Sequence, residues 1–341
     1  MAVFFTDSDT DPAVTGIEEI FPTLWRHYED SRFLYTTKLK RLAPVLGHIQ
    51  EQWPLLLAAP ADLVQVHAAR DQNNIVCSAT LFRDTRRTFV AQHAVSHGRP
   101  AKMIDCLVST VSGASASDAE FMAMFFRMEN KWPTELVNRF RDAHAASNVD
   151  LSTRRYLSAT LAGFEAREAS TPLDSTSSRT VWEISSVVLG PLRALASDIE
   201  PTSFDLAISQ RYREVGLVRT RDVYGVSRDG RLAGIVLCYH AGIPMNLSLL
   251  CSRAELLVHP EAPDRDGVVR DLCVCALTGA AKRGQPILTI LADHVDAPAA
   301  TQAGFIDSGR SYSSFFWRRD SGRGFAAAII ALAHWYSEAR V

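Results

Sequence analysis

Ala254-Glu255-Leu256-Leu257-Val258-His259-Pro260-Glu261, leading through Gly267 into Val268–Lys282 and then Arg283-Gly284-Gln285-Pro286, is the stretch that decides the fold. A short apolar run ends at a histidine and a proline, which reads as a strand stopping at a loop. The following run has helical spacing. Gly284 sits where a helix ends in a left-handed residue, and Pro286 cannot continue it. Pro286 to Leu291 is apolar again and reads as the next strand. Strand, loop, helix and strand in that order define an α/β unit.

Working outward, helical patterns at Pro191 to Ile199 and Phe204 to Val215 precede a hairpin. Its strands are Val223 to Ser227 and Leu232 to Tyr239, joined by the turn Arg228-Asp229-Gly230. Downstream lie a short helix at Ala297 to Ala303, Phe305, and a last strand at Tyr312 to Trp317. The first half runs in the same order. Helices at Ile17 to Tyr28 and Pro44 to Leu57 lead to a hairpin of Leu63 to His67 and Ile75 to Leu81 around Asp71-Gln72-Asn73-Asn74. A strand at Thr88 to Val95, a helix from Ala101, a strand at Phe121 to Arg127 and an element from Trp132-Pro133 follow. A repeated order of elements marks a duplication. The expectation is α/β, two tandem domains at 1–142 and 181–341, each a mixed central sheet flanked by helices. The polar segment 143–180 between them, with Ser170 to Ser178 at its centre, reads as a linker. Phe325 to Glu338 reads as a C-terminal helix that packs on the body or on a partner in a homodimer.

Composition narrows the function. The 341 residues are 47% apolar and 22% charged with a net charge of −2, which suits a globular protein and gives no basic character for nucleic acid. Met1 to Asp7 has no basic region, and the apolar run Phe325 to Ala333 is too short to span a bilayer, so no membrane is expected. Six cysteines without metal-ligand spacing read as buried reduced thiols in a cytoplasmic protein, with no zinc.

From Phe204 to Arg318 the pattern resembles the GNAT acyltransferases, through the strand ending in His259-Pro260-Glu261, the loop with Gly267, the helix closing in Ala280-Ala281-Lys282-Arg283-Gly284, and the pair Gly304-Phe305. Residues 17 to 140 resemble the same fold more faintly. That resemblance implies a loop whose amides cradle the pyrophosphate of acetyl-CoA or another acyl-CoA at a helix N-terminus. Val258, Gly267, Val268 and Arg270 are the residues it maps onto this role. Val269 stands at the second glycine of the motif, and Asp264 at its Arg/Gln position beside Asp266, both of the wrong sign for phosphate. The equivalent loop of the first half, with His97, Gly98, Arg99 and Lys102, lacks the motif but is basic at a helix start, which suits an anion.

The resemblance also implies a general base before the loop and a tyrosine acid. Glu255 is the candidate base, with His240 and His259 beside it; Ala300 occupies the tyrosine position, leaving Tyr312 or Tyr239 to serve. Arg127 to Pro133, dense in polar groups beyond a strand end, lies where α/β crevices form. The implied function is acyl-CoA-dependent N-acyl transfer to a small-molecule amine or a protein. The alternative is a non-catalytic GNAT-like protein that binds a nucleotide, another anion or a protein partner.

Overall fold

A computed structural model describes residues 3–6, 17–72, 74–143, 149–161, 181–183, 206–229, 231–241, 253–318 and 322–338. The helices are α1 (Ile17–Asp30), α2 (Thr36–Leu42), α3 (Leu46–Ala58), α4 (Pro100–Ala116), α5 (Lys131–Ala143), α6 (Leu206–Glu214), α7 (Arg265–Lys282), α8 (Ala297–Gln302) and α9 (Gly322–Glu338). The strands of the first half are β1 (Val3–Phe5), β2 (Val64–Asp71), β3 (Asn74–Thr85), β4 (Thr88–Ser96), β5 (Phe121–Arg127) and β6 (Val149–Thr160). Those of the second are β7 (Val181–Glu183), β8 (Arg219–Arg228), β9 (Arg231–Ala241), β10 (Arg253–Val258), β11 (Ile287–Ala292) and β12 (Ile306–Arg318). The Ser170 to Ser178 and Pro191 to Ile199 segments lie outside the described residues.

The tandem mixed α/β arrangement expected from the repeated elements is present, with one 12-stranded sheet ordered β1-β2-β3-β4-β5-β12-β6-β11-β10-β9-β8-β7. Each half contributes antiparallel hairpin strands and then one parallel pair, β4 with β5 and β10 with β11. The last strand of each half is exchanged. β12 pairs with β5, β6 pairs with β11, and the two cross antiparallel at the centre. The halves therefore share an unbroken hydrogen-bonded sheet, and separating them would expose strand edges on both.

β6 runs through the first part of the segment read as a linker. Its polar residues are satisfied across the sheet, which the chain order hides. Thr153 Oγ1 lies 2.9 Å from Ser313 Oγ, and Arg155 Nη2 lies 2.7 Å from Asp307 on β12. Tyr156, Leu157 and Ala159 are buried.

On one face of the first half, α1, α3 and α6 enclose Leu24, Tyr28, Ile49 and Trp53. Although α6 belongs to the second half in sequence, Tyr212 donates from its hydroxyl to the carbonyls of Leu63 (3.1 Å) and Arg83 (2.9 Å). On the opposite face, α4 and α5 are joined by α9, whose Ile329 and Leu332 are fully buried with Phe140 and Phe315. Burying such side chains contributes about 2 kcal/mol each, enough to hold the C-terminal helix on the first half. In the second half α7 packs Leu272, Ala276 and Ala280 over Val236, Cys238 and Ala254. Cys77, Cys106, Cys238, Cys273 and Cys275 are free and buried. No described helix is long and apolar enough to cross a membrane.

Candidate functional site

Two openings arise where a parallel pair comes apart. β4 and β5 pair only from Thr88 with Phe121 to Ala91 with Met124, while β4 continues to Ser96 and β5 to Arg127. β10 and β11 pair only from Arg253 with Thr289 to Glu255 with Leu291, and β10 continues to Val258. Past those points the facing strand edges have lost each other. Main-chain amides on such edges can pair with an extended ligand, as a sheet edge takes a peptide.

The first opening has a second feature. Ser78 pairs with Val95 and Thr80 with Gln92, so β4 carries an extra residue there, and His93 adopts a left-handed φ of 52°. This bulge turns the strand away from β5 at the point of separation. The His93 ring is enclosed by Tyr28, Phe33, Trp53 and Phe82 at centroid distances of 5.6 to 5.9 Å. Burial first, and then the charge of Lys38, lower its pKa to about 3. It is a neutral wedge at pH 7. In the second half the pairing of β10 with β9 runs without a bulge from Arg253 to Val258.

The two helices that follow β4 and β10 begin differently. Asp264 caps α7 in a left-handed conformation (φ 50°), and its carboxylate accepts from the Gly267 amide at 3.2 Å. The amide that a pyrophosphate would use is thus engaged by a carboxylate of the chain itself. A side chain at position 267 would meet Asp264 Oδ2 at 1.9 Å, so only glycine fits beneath this cap. Val268 and Val269 are fully buried in the core, Val258 is half-buried, and exposed Arg270 bonds Gln302 Oε1 at 2.8 Å. Removing the cap should cost α7 stability. Asp264→Ala is expected to lose about 1–2 kcal/mol in urea unfolding, because alanine also resists the left-handed backbone, and Asp264→Gly distinctly less.

At the other opening, α4 starts with Arg99 as its N-cap residue and has no side-chain cap bond. His97, Gly98 and Arg99 are exposed, and Gly98 has the positive φ (66°) that the turn requires. Arg99 Nη2 lies 2.6 Å from exposed Asp71, and the half-buried Lys102 ammonium donates to the Arg70 carbonyl. This end keeps its first-turn amides clear of carboxylate caps.

The three candidate catalytic groups lie apart. Glu255 is 7% exposed and accepts from Arg253 Nε at 3.1 Å. Arg253 also reaches Asp84 at 4.0 Å and lies over the Tyr239 and Phe125 rings. His259 accepts the Glu261 amide at Nδ1 (3.1 Å), so that ring nitrogen is engaged by the chain itself. His240 is buried 3.2 Å from Asp222; burial outweighs that carboxylate and lowers its pKa to about 4. Tyr312 sits elsewhere, directly across from Arg127 at the first opening, and its hydroxyl accepts from Arg127 Nε at 3.2 Å.

The Arg219 to Asp222 segment is also engaged internally: Arg219 with Asp84, and Asp222 with Arg283. Of the polar groups flagged beyond β5, Arg127 ends that strand beside the first opening and bonds Tyr312 and Tyr35. Lys38, Tyr35 and Arg310 join it there without any sequence signal of their own.

Solved structures to which the chain is similar include a GCN5-related N-acetyltransferase-like protein from Streptococcus suis, at 12% identity and a TM-score of 0.43 over 83% of this chain and 99% of that one. A tandem GNAT protein from the clavulanic acid biosynthesis pathway aligns at 14% identity and a TM-score of 0.42, covering 79% of this chain and 88% of its own. A GCN5-related N-acetyltransferase from Kribbella flavida aligns at 12% identity and 0.41, covering 71% and 87%. No family model and no curated protein matches the sequence. At these identities and scores the likeness concerns shape alone, and the chemistry rests on the residues of this chain.

Proposed function

We propose that the protein is an acyl-CoA-dependent N-acyltransferase whose working site is the opening of the first half. The observation that carries this reading is the separation of β4 from β5 at the His93 bulge, with β4 leading straight into the uncapped start of α4. The amide groups of a pantetheine chain would pair with the freed edge of β4. The pyrophosphate would lie at the α4 N-terminus, among the basic residues His97, Arg99 and Lys102. A neutral amine attacking the thioester carbonyl forms the C–N bond and breaks the C–S bond. The proton lost by nitrogen passes to solvent, and the Tyr312 phenol protonates the departing thiolate. Arg127 donates to that phenol, so its own proton is free to be given up. Five buried free thiols suit a reducing cytoplasm.

In the second half the cap formed by Asp264 supports a structural role for the corresponding opening. Acetyl-CoA at about 1 mM is expected to raise the melting temperature by a few degrees if its dissociation constant is in the micromolar range. Lys102→Glu should abolish the shift and Asp264→Ala should leave it. Tyr312→Phe should keep the shift while lowering thiol release with an amine acceptor by about tenfold or more. Absence of any shift, or its loss in Asp264→Ala but not in Lys102→Glu, would refute this assignment. It would then favour a non-catalytic anion- or partner-binding protein.

A further inference from the structure

Beside the first opening lies a group of cations held without an anion. Lys38 of α2 is only 8% exposed, and the ring of Phe33 lies 3.4 Å from its ammonium. Among the described residues the ammonium has neither a hydrogen bond nor an ion pair, although the Lys38 backbone amide donates to the Tyr35 carbonyl at 2.8 Å. Arg127, the last residue of β5, donates from Nη2 to the Tyr35 hydroxyl, and Arg310 Nη1 reaches the same hydroxyl at 3.4 Å. Tyr312 fixes Arg127 through Nε, and its own ring packs on Tyr156 at 4.9 Å. No described carboxylate lies within ion-pair distance of Lys38, Arg127 or Arg310. The nearby Arg154, across the sheet from Tyr312, is already 3.8 Å from Asp293.

The surrounding structure holds this group in place. The His93 bulge abuts Lys38 on one side, and the β5–β12 register sets Tyr312 opposite Arg127 on the other. Like charges brought together away from water repel, and burying an ammonium without a counter-ion is costly. Other arginines of this chain, buried or exposed, show the ordinary solution, since Arg83, Arg87, Arg155, Arg265 and Arg283 each have a carboxylate within 2.7 Å. The cluster departs from that pattern at the mouth of an opening, where an incoming molecule would supply the missing charge.

We propose that Lys38, Arg127, Arg310 and the Tyr35 hydroxyl form the binding site for an oxyanion group, a carboxylate or a phosphate, carried by the small-molecule acceptor. Arg127 and Arg310 present guanidinium N–H groups from adjacent strands, and Lys38 adds a point charge from below. Tyr35, shared between the two arginines, can donate its proton to the same oxyanion. Burial first, and then the charge of Arg127, bring Lys38 down to about 7, and an anion bound beside it would draw the amine back to its charged form. For Tyr35, burial alone would push the phenol up, but Arg127 and Arg310 together outweigh it and bring it below its ordinary value. Because the anion is held to one side of the strand opening, an amine on the same molecule would be directed toward the thioester. This assignment of the acceptor rests on the acyltransferase reading above, whereas anion binding by the cluster does not.

The test uses the full-length protein without acyl-CoA, and follows melting temperature and calorimetric binding with three probes. These are L-glutamate, O-phosphoethanolamine and 1,4-diaminobutane, the last lacking an anionic group. The two anionic probes should bind and diaminobutane should not, and whichever anion binds tighter identifies carboxylate or phosphate as the preferred group. Arg310→Gln and Lys38→Met should each weaken anion binding by about tenfold or more. Arg310 is half-exposed and Lys38→Met relieves an unfavourable burial, so both variants should fold. Acetyl-CoA should shift Arg310→Gln as it shifts the parent protein. If neither anion binds at about 10 mM, or if the variants bind them as the parent does, the site is refuted. Loss of the acetyl-CoA shift in Arg310→Gln would mean that the cluster holds donor phosphates, which overturns the acceptor assignment. Anion binding without any acetyl-CoA binding would sink the acyltransferase reading and leave the anion site standing.

Discussion

Acidification from pH 7 to pH 4 should unfold this protein, with the loss concentrated between pH 6.5 and 4. Four histidines are buried in neutral form. Burial is the leading cause for each, and it brings His27, His67 and His240 to about 4 and His93 to about 3. In the unfolded chain each titrates near 6.5, so the unfolded state binds more protons throughout that window. Stability is therefore complete above pH 6.5 and is lost as the pH falls toward the folded values. At about 1.4 kcal/mol per pKa unit, each histidine contributes roughly 3 kcal/mol, and four together about 12 kcal/mol. That is comparable to the whole stability of an ordinary domain, about 5–15 kcal/mol. Carboxylates add to the loss only at still lower pH, because Arg211, Arg83 and Arg87 hold Asp62, Asp118 and Glu120 below the usual range.

Urea unfolding followed by circular dichroism at intervals from pH 7 to 4.5 measures this directly. The slope of stability against pH should approach the uptake of three to four protons, about 4 to 5 kcal/mol per unit. His67 lies 2.8 Å from Ser109 Oγ and 3.1 Å from Gln65 Oε1, contacts a glutamine can partly replace. His67→Gln should lower the slope by about one proton. A flat profile down to pH 4.5 would show that these rings accept protons without unfolding the chain.

The strengths and gaps of the sequence reading have physical causes. Phe121 to Arg127 appears as a strand with the bounds observed, because an apolar run flanked by a loop and a proline has few alternatives. Gly284 ends α7 in the left-handed conformation its position implies (φ 66°), and Asp229 turns the β8–β9 hairpin at φ 51°. These are local properties. The exchange of β6 and β12 is not local, since it depends on which strand reaches the edge of β5 first. The polar residues of β6 made it look solvated, because their partners Ser313 and Asp307 lie far along the chain. Lys38 is hidden for a similar reason. Thr-Thr-Lys-Leu-Lys-Arg-Leu from Thr36 to Leu42 falls between the two helices read from the sequence, and nothing in its polar run marks Lys38 as the lysine that tertiary packing buries. Tyr312 and the polar run from Arg127 pointed to the same place from two directions, but nothing in the sequence joined them.

Arg253→Ala should destabilise the protein by about 3–5 kcal/mol, the range for breaking a buried ion pair from one side. Arg253 is 6% exposed on β10, where it bonds Glu255, approaches Asp84 of β3 and covers Phe125 of β5. One side chain thus connects elements of both halves, and removing it leaves the Glu255 carboxylate buried without its cation. Asp84 suffers less, because Arg219 still pairs with it. Replacing both partners removes the stranded charge, so Arg253→Met with Glu255→Leu should recover most of the loss. Glu255→Gln alone should cost less than Arg253→Ala, since arginine tolerates a neutral acceptor and its guanidinium keeps two aromatic faces. Urea unfolding of Arg253→Met, Glu255→Leu and the double variant beside the parent closes the cycle and gives the coupling energy between the pair. The same double variant separates structure from chemistry. If it folds and still transfers an acyl group to an amine, Glu255 acts through its pairing with Arg253. If it folds with the parent's stability and transfer is abolished, the carboxylate takes part in the reaction and the second opening must be reconsidered as the working site.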